Sequence, residues 1–141
     1  MIIGVTSGCF DILHPTHVLF LEKCSRECDR LIVLIDSDER ILQTKGNYPV
    51  FNEQDRLILL DALEVVDHVQ VFNDIKDYVV SIEALWDKDD TIIVFKNRRI
   101  FPTSEVHQLQ EVPNTTTKII EDVKRFSSST EIKQFIKSQF K

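Results

Sequence analysis

No apolar run in these 141 residues approaches the roughly 18 needed to cross a bilayer, so no helical membrane span and no membrane partner are expected. The first residues also lack the charged-then-apolar pattern of a secretory signal peptide, and a cytoplasmic location is the expectation. Positive charge is in short supply: 17 Lys and Arg stand against 23 Asp and Glu, a net charge of −6. General nucleic-acid binders carry a basic face, so no nucleic-acid partner is expected, although a nucleotide needs only a few local cations. Cysteine is limited to Cys9, Cys24 and Cys28, an odd count without a disulfide framework, which fits a reducing compartment. Cys24 and Cys28 lie four apart, and no further Cys or adjacent His completes a metal site. Core packing is their expected use, and no protein metal site is predicted. Repeats, low-complexity tracts and linkers are missing too, so residues 1–141 read as one domain.

What the chain does contain is a continuous alternation of strand-like and helix-like segments. Ile2–Val5 and Leu31–Ile35 are unbroken apolar runs of the kind buried on both faces of a parallel sheet, and Thr91–Phe95 is a third. Val65–Phe72 reads as a turn and strand, and Thr117–Glu121 as the last strand. Asp36-Ser37-Asp38 offers a cap and an acidic first turn for a short helix through Gln43. Asn52 caps a helix with Leu57, Leu60 and Leu63 at core spacing. Asp74–Trp86 is amphipathic, with Ile75, Val79, Ile82 and Leu85 at helical intervals. A short helix is expected from Pro102, and a C-terminal one opening within Arg125–Lys133. The fold class that follows is α/β with a doubly wound parallel sheet.

The stretch with the most chemistry is Ser7-Gly8-Cys9-Phe10-Asp11-Ile12-Leu13-His14-Pro15-Thr16-His17, between the first strand and the first helix. Pro15 suits a first helical turn, where its missing N–H would be unpaired anyway. That places His14 and His17 at a helix N-terminus, where free backbone N–H groups and the dipole favour an anion such as phosphate. The residues alone leave two readings open. Both rings lean toward one bound anion, or they are simply packed or solvated.

The whole string, Gly-Cys-Phe-Asp-Ile-Leu-His-x-x-His, resembles the signature G-[TC]-F-D-x-x-H-x-G-H of the cytidylyltransferase-like nucleotidylyltransferases. Its wording is most similar to the adenylyltransferase domains that make ADP-heptose, and next to glycerol-3-phosphate cytidylyltransferases. Thr16 stands where that family has Gly. Near the other end, Ser128-Ser129-Thr130-Glu131-Ile132-Lys133 resembles the second family signature, S-[ST]-[ST]-x-I-[RK]. The loop from Lys45-Gly46 through Pro49 to Arg56 is similar to one that reaches phosphates in the heptose and glycerol relatives. Lys96-Asn97-Arg98-Arg99 replaces the relatives' glycine- and acid-containing loop. It reads either as a phosphate contact at a strand's carboxyl end or as an exposed basic loop.

The resemblance implies a Rossmann-like fold and transfer of NMP from an NTP, ATP or CTP, to a small phosphorylated acceptor such as a sugar phosphate or glycerol 3-phosphate. It implies catalytic roles for His14, His17 and Lys45, and acceptor binding by Arg56 and Asp11. Asp11 would orient either the site or the Mg²⁺ that accompanies the NTP. Nucleotide contacts are implied for Ser7, Gly8, Cys9 and Phe10 of the first motif, for Lys96 and Arg125, and for Ser128, Ser129 and Thr130 of the second. A homodimer is implied as well. The alternatives carried forward are a catalytically weakened nucleotide-binding protein, as a sensor or partner subunit, and an FMN adenylyltransferase.

Overall fold

The apolar runs do line up as neighbouring strands. The structure is a computed structural model that describes residues 1–85, 87–97, 114–120 and 129–140. Five strands form one sheet: β1 (Ile2–Gly8), β2 (Arg30–Asp36), β3 (His68–Phe72), β4 (Thr91–Asn97) and β5 (Thr115–Ile120). Their order is β3-β2-β1-β4-β5 and every neighbouring pair is parallel. The helices are α1 (Pro15–Ser25), α2 (Asp38–Lys45), α3 (Glu53–Asp61), α4 (Ile75–Leu85) and, here numbered α5, Ser129–Gln139. This is a Rossmann-like α/β domain, with helices on both faces of the sheet.

Strand pleating sorts the core into two layers. On β2, Ile32 and Leu34 join Tyr78 and Ile82 of α4, while Leu31, Val33 and Ile35 join Leu21 and Cys24 of α1 and Leu60 of α3. Local signals set the helix starts. Ser37 Oγ accepts from the Arg40 N–H at 3.1 Å, and Asn52 Oδ1 accepts from the Asp55 N–H at 2.8 Å. Gly46 closes α2 in the left-handed conformation at φ 82, which glycine adopts without a Cβ penalty.

Several boundaries differ from expectation. β1 runs on through Ser7 and Gly8, which pair with Leu34 and Ile35 of β2 instead of turning. β4 takes in Lys96 and Asn97, the first half of the supposed basic loop, because they pair with Ile119 and Ile120 of β5. α2 continues two residues past Gln43 to Lys45. The helix expected from Pro102, with Arg98, Arg99, Arg125 and Ser128, lies outside the described residues.

Gly4 allows a close approach in the α1-side layer. A Cβ there would lie 2.6 Å from both Cys28 Sγ and Phe95 Cε2. Gly4→Ala is expected to cost about 1–3 kcal/mol by overpacking. Urea unfolding would show this as a lower midpoint at unchanged m-value.

Candidate active site

Strand order reverses between β1 and β4, and in open α/β sheets the carboxyl edge at such a point is where ligands bind. Here a cavity of about 470 Å³ opens at that edge. Cys9 and Asp11 beyond β1 line it with His14, Thr16 and His17 of the α1 start. Lys45, Asn47 and Pro49 close a second side, and Asn97 of β4 with Thr130 and Lys133 of α5 a third.

The α1 start is built as its sequence suggests. Pro15 occupies the first helical turn and His14 is the extended N-cap residue, at φ −141 and ψ 171. Its side chain does not cap the helix. Instead its ring stacks on that of His17, with centroids 3.8 Å apart and planes 24° from parallel. Phe10 abuts the other imidazole, at 5.1 Å from the His17 centroid. His17 Nδ1 is buried and takes part in no hydrogen bond among the described residues. Buried polar atoms normally have partners, so this nitrogen is one that a ligand or water would satisfy.

Burial disfavours the charged form of both imidazoles. Desolvation lowers the pKa of His14, and for His17 desolvation and then the charge of a protonated His14 bring it down to about 4. An unfolded imidazole protonates near 6.5. Between pH 6.5 and about 4 the unfolded chain therefore binds the extra proton, and stability must fall as pH falls through that window. Thermal unfolding of wild type and His17→Gln at pH 7 and pH 4.5 checks this. Acid should lower the wild-type midpoint by more than that of the variant.

Phe10 sits at φ 48, a left-handed conformation that disfavours residues with a Cβ. The twist sends its ring into the core, where it is buried against His17. A Cβ on Gly8 would lie 3.1 Å from that ring, so the missing side chain makes room for Phe10. Phe10 and Gly8 thus shape the floor under the histidines. Lys96 is buried, and its ammonium donates to Ser7 Oγ at 3.4 Å. Cys9 does line the cavity, and its thiol donates to Asp36 Oδ2 at 3.1 Å. Burial and the Asp36 carboxylate raise its pKa to about 11, so it is a neutral wall and not a nucleophile.

Arg56 is the largest departure. It is 0% exposed, and its guanidinium serves the carbonyls of Phe51, Cys9 and Asp36 and the Asp38 carboxylate. It ties the strand ends to the loop before α3 and does not line the cavity. Asp11, also assigned to the acceptor, accepts from the Val50 and Phe51 N–H groups and from Lys133. Burial opposes its charge, but the Lys133 bond and the two backbone donors hold its pKa below the usual value. Lys45 lines the cavity from the end of α2 and Thr130 from the start of α5. Ser129 begins α5.

Lys133 and Asn97 are among the cavity residues that carried no assigned role in the sequence. Lys133 occupies the last place of the second signature, and that position is the signal that could have found it. Asn97 had only its strand-end location to mark it. Mg²⁺ usually keeps most of its waters and takes one or two carboxylates plus substrate phosphates. Asp11 has both oxygens engaged, and no group of three His, Cys, Asp or Glu able to hold a metal occurs among the described residues. These residues fit Mg²⁺ arriving on the triphosphate, with this chain's cations around it.

Parallel sheet, reversal point and polar cavity at a helix start define a Rossmann-like α/β protein with its site at the carboxyl edge. The chain belongs to the cytidylyltransferase-like family, which matches residues 5–139, and so to a family of nucleotidyltransferase enzymes. Among curated proteins it is 47% identical over 72 residues to the bifunctional protein HldE of Hyphomonas neptunium. It is 49% identical over 73 residues to HldE of Rhodopseudomonas palustris. These matches cover 50% and 51% of this chain but only 15% of each relative. Among solved structures, the lipopolysaccharide core biosynthesis protein from Thermoplasma volcanium is similar with a TM-score of 0.66 and 26% identity, over 89% of this chain and 98% of that one. TmcAL of Thermotoga maritima, solved with alpha-thio ATP, shares the fold at a TM-score of 0.65 and 14% identity, over 99% of this chain and 51% of that one.

Proposed function

We propose that this protein transfers a nucleotidyl group from ATP or CTP to a small phosphorylated acceptor, with heptose 1-phosphate and glycerol 3-phosphate the first candidates. The observation that carries the reading is the stacked His14–His17 pair at the start of α1, facing a cavity that also holds Lys45, Thr130 and Lys133. An acceptor phosphate oxygen forms a bond to the α-phosphorus, the bond from that phosphorus to the bridging oxygen breaks, and pyrophosphate leaves. The acceptor is already anionic, so no general base is required. Positioning and charge neutralisation supply the catalysis. His14 and His17 donate to the α-phosphate and the leaving oxygen, Lys45 and Lys133 neutralise phosphate charge, and Thr130 holds an outer phosphate. Mg²⁺ bound with the NTP would supply further charge screening, beside the lysines of this chain.

Thr16 favours a second reading. It lines the cavity where the family signature has Gly, and a side chain there narrows the space for phosphates. In that reading the protein binds nucleotide but turns it over weakly. Pyrophosphate release with ATP or CTP against heptose 1-phosphate, glycerol 3-phosphate and FMN separates the two. Release with one pair supports transfer. Silence with every pair, together with calorimetric nucleotide binding and activity gained in Thr16→Gly, supports the second.

A further inference from the structure

Asp11 lies in the turn between β1 and α1, yet its carboxylate reaches two distant parts of the chain. Oδ2 accepts from the Val50 N–H at 3.0 Å and Oδ1 from the Phe51 N–H at 3.0 Å, both in the loop before α3. Oδ2 also accepts from Lys133 Nζ of α5 at 2.6 Å. Asp11 is 6% exposed, whereas the Lys133 side chain is 40% exposed, so the carboxylate is the fixed inner member of the pair. α5 itself is lightly packed: Phe135 and Ile136 are 66% and 48% exposed, and Phe140 just beyond it is 84% exposed. With little apolar burial to hold the helix, one partly buried ion pair becomes a large share of its attachment. An ammonium has three N–H donors, and Asp11 takes one, leaving two for an anion in the cavity that Lys133 lines.

We propose that Asp11 is a positioning residue that fastens α5 to the active-site wall through Lys133, aiming that ammonium at the phosphates of the bound nucleotide. The carboxylate thereby acts on the nucleotide through a lysine and not through a metal ion. The kinetic consequence rests on the nucleotidyl-transfer reading; the fastening of α5 does not.

Hydrogen exchange by mass spectrometry on the full chain tests the fastening directly. In Asp11→Asn and in Lys133→Met the α5 amides should exchange about tenfold faster or more, with the sheet unchanged. The double variant should be no faster than Lys133→Met, and Lys133→Arg should stay close to wild type. KM for the NTP should rise in both single variants by more than kcat falls, and raising Mg²⁺ should not restore Asp11→Asn. Unchanged α5 exchange in both single variants overturns the proposal. So does recovery of Asp11→Asn at high Mg²⁺, which would make Asp11 a metal ligand. Should Asp11→Asn fail to fold, the surface variant Lys133→Met decides by its α5 exchange. If no NTP is turned over at all, that exchange still stands as the test.

Discussion

Replacing His14 or His17 with Ala is expected to lower turnover at least about tenfold, roughly 1.4 kcal/mol of barrier, with the fold kept. The two imidazoles lie within stacking distance at a helix start, so one phosphate can take an N–H from each while the helix's own N–H groups add to the field. Their neutral state sharpens the expectation. With its pKa near 4, His17 reaches a triphosphate uncharged at pH 7, and the bound anion must then raise that pKa. Nucleotide binding at pH 6 should therefore take up protons, measurable by calorimetry in two buffers of different ionisation enthalpy. His17→Ala should reduce the uptake along with turnover. Thermal unfolding should show no loss of cooperativity, since His17 Nδ1 carries no hydrogen bond among the described residues whose loss would open the core. Wild-type rates in both variants, at saturating NTP and acceptor, would overturn the mechanism.

The strands were legible because a parallel sheet covered on both faces writes itself as apolar runs, and Leu31–Ile35 is buried throughout. Helix starts at Ser37 and Asn52 were legible because caps are local. The histidines were placed for a related reason, since Pro15 fixes the helix start next to them. What sequence spacing could not supply was the direction of the long side chains. Lys96 sits at a strand end that points toward ligands in this fold, yet its ammonium turns inward to Ser7. Phe10 belongs to the signature but owes its place to a positive φ that spacing does not encode. Lys133 meets Asp11 only because the last helix returns over the first turn, a contact across 122 positions.

Arg56 is the case where that lesson has the largest energetic consequence. The sequence offered a helix residue near a phosphate-reaching loop, and the structure buries it completely. Nε donates to Phe51 O at 3.0 Å, Nη1 to Cys9 O at 2.9 Å and Asp36 O at 2.7 Å, and Nη2 to Asp38 Oδ1 at 2.8 Å. One planar guanidinium thus ties the ends of β1 and β2 to the loop before α3. Arg56→Met would strand three carbonyls and a carboxylate. Breaking a buried pair costs about 3–5 kcal/mol, and because the Asp38 side chain keeps 26% exposure the lower end of that range is expected. Arg56→Lys should recover only part, since a single ammonium cannot serve four acceptors spread around a fork. Urea unfolding measures both. The same variants distinguish this role from acceptor binding, because a residue that merely held a substrate would raise the acceptor KM and leave the unfolding midpoint alone. A loss under about 1 kcal/mol in Arg56→Met would mean the carbonyls find water instead, and that the network contributes little to holding Cys9 and Phe10 beneath the histidines.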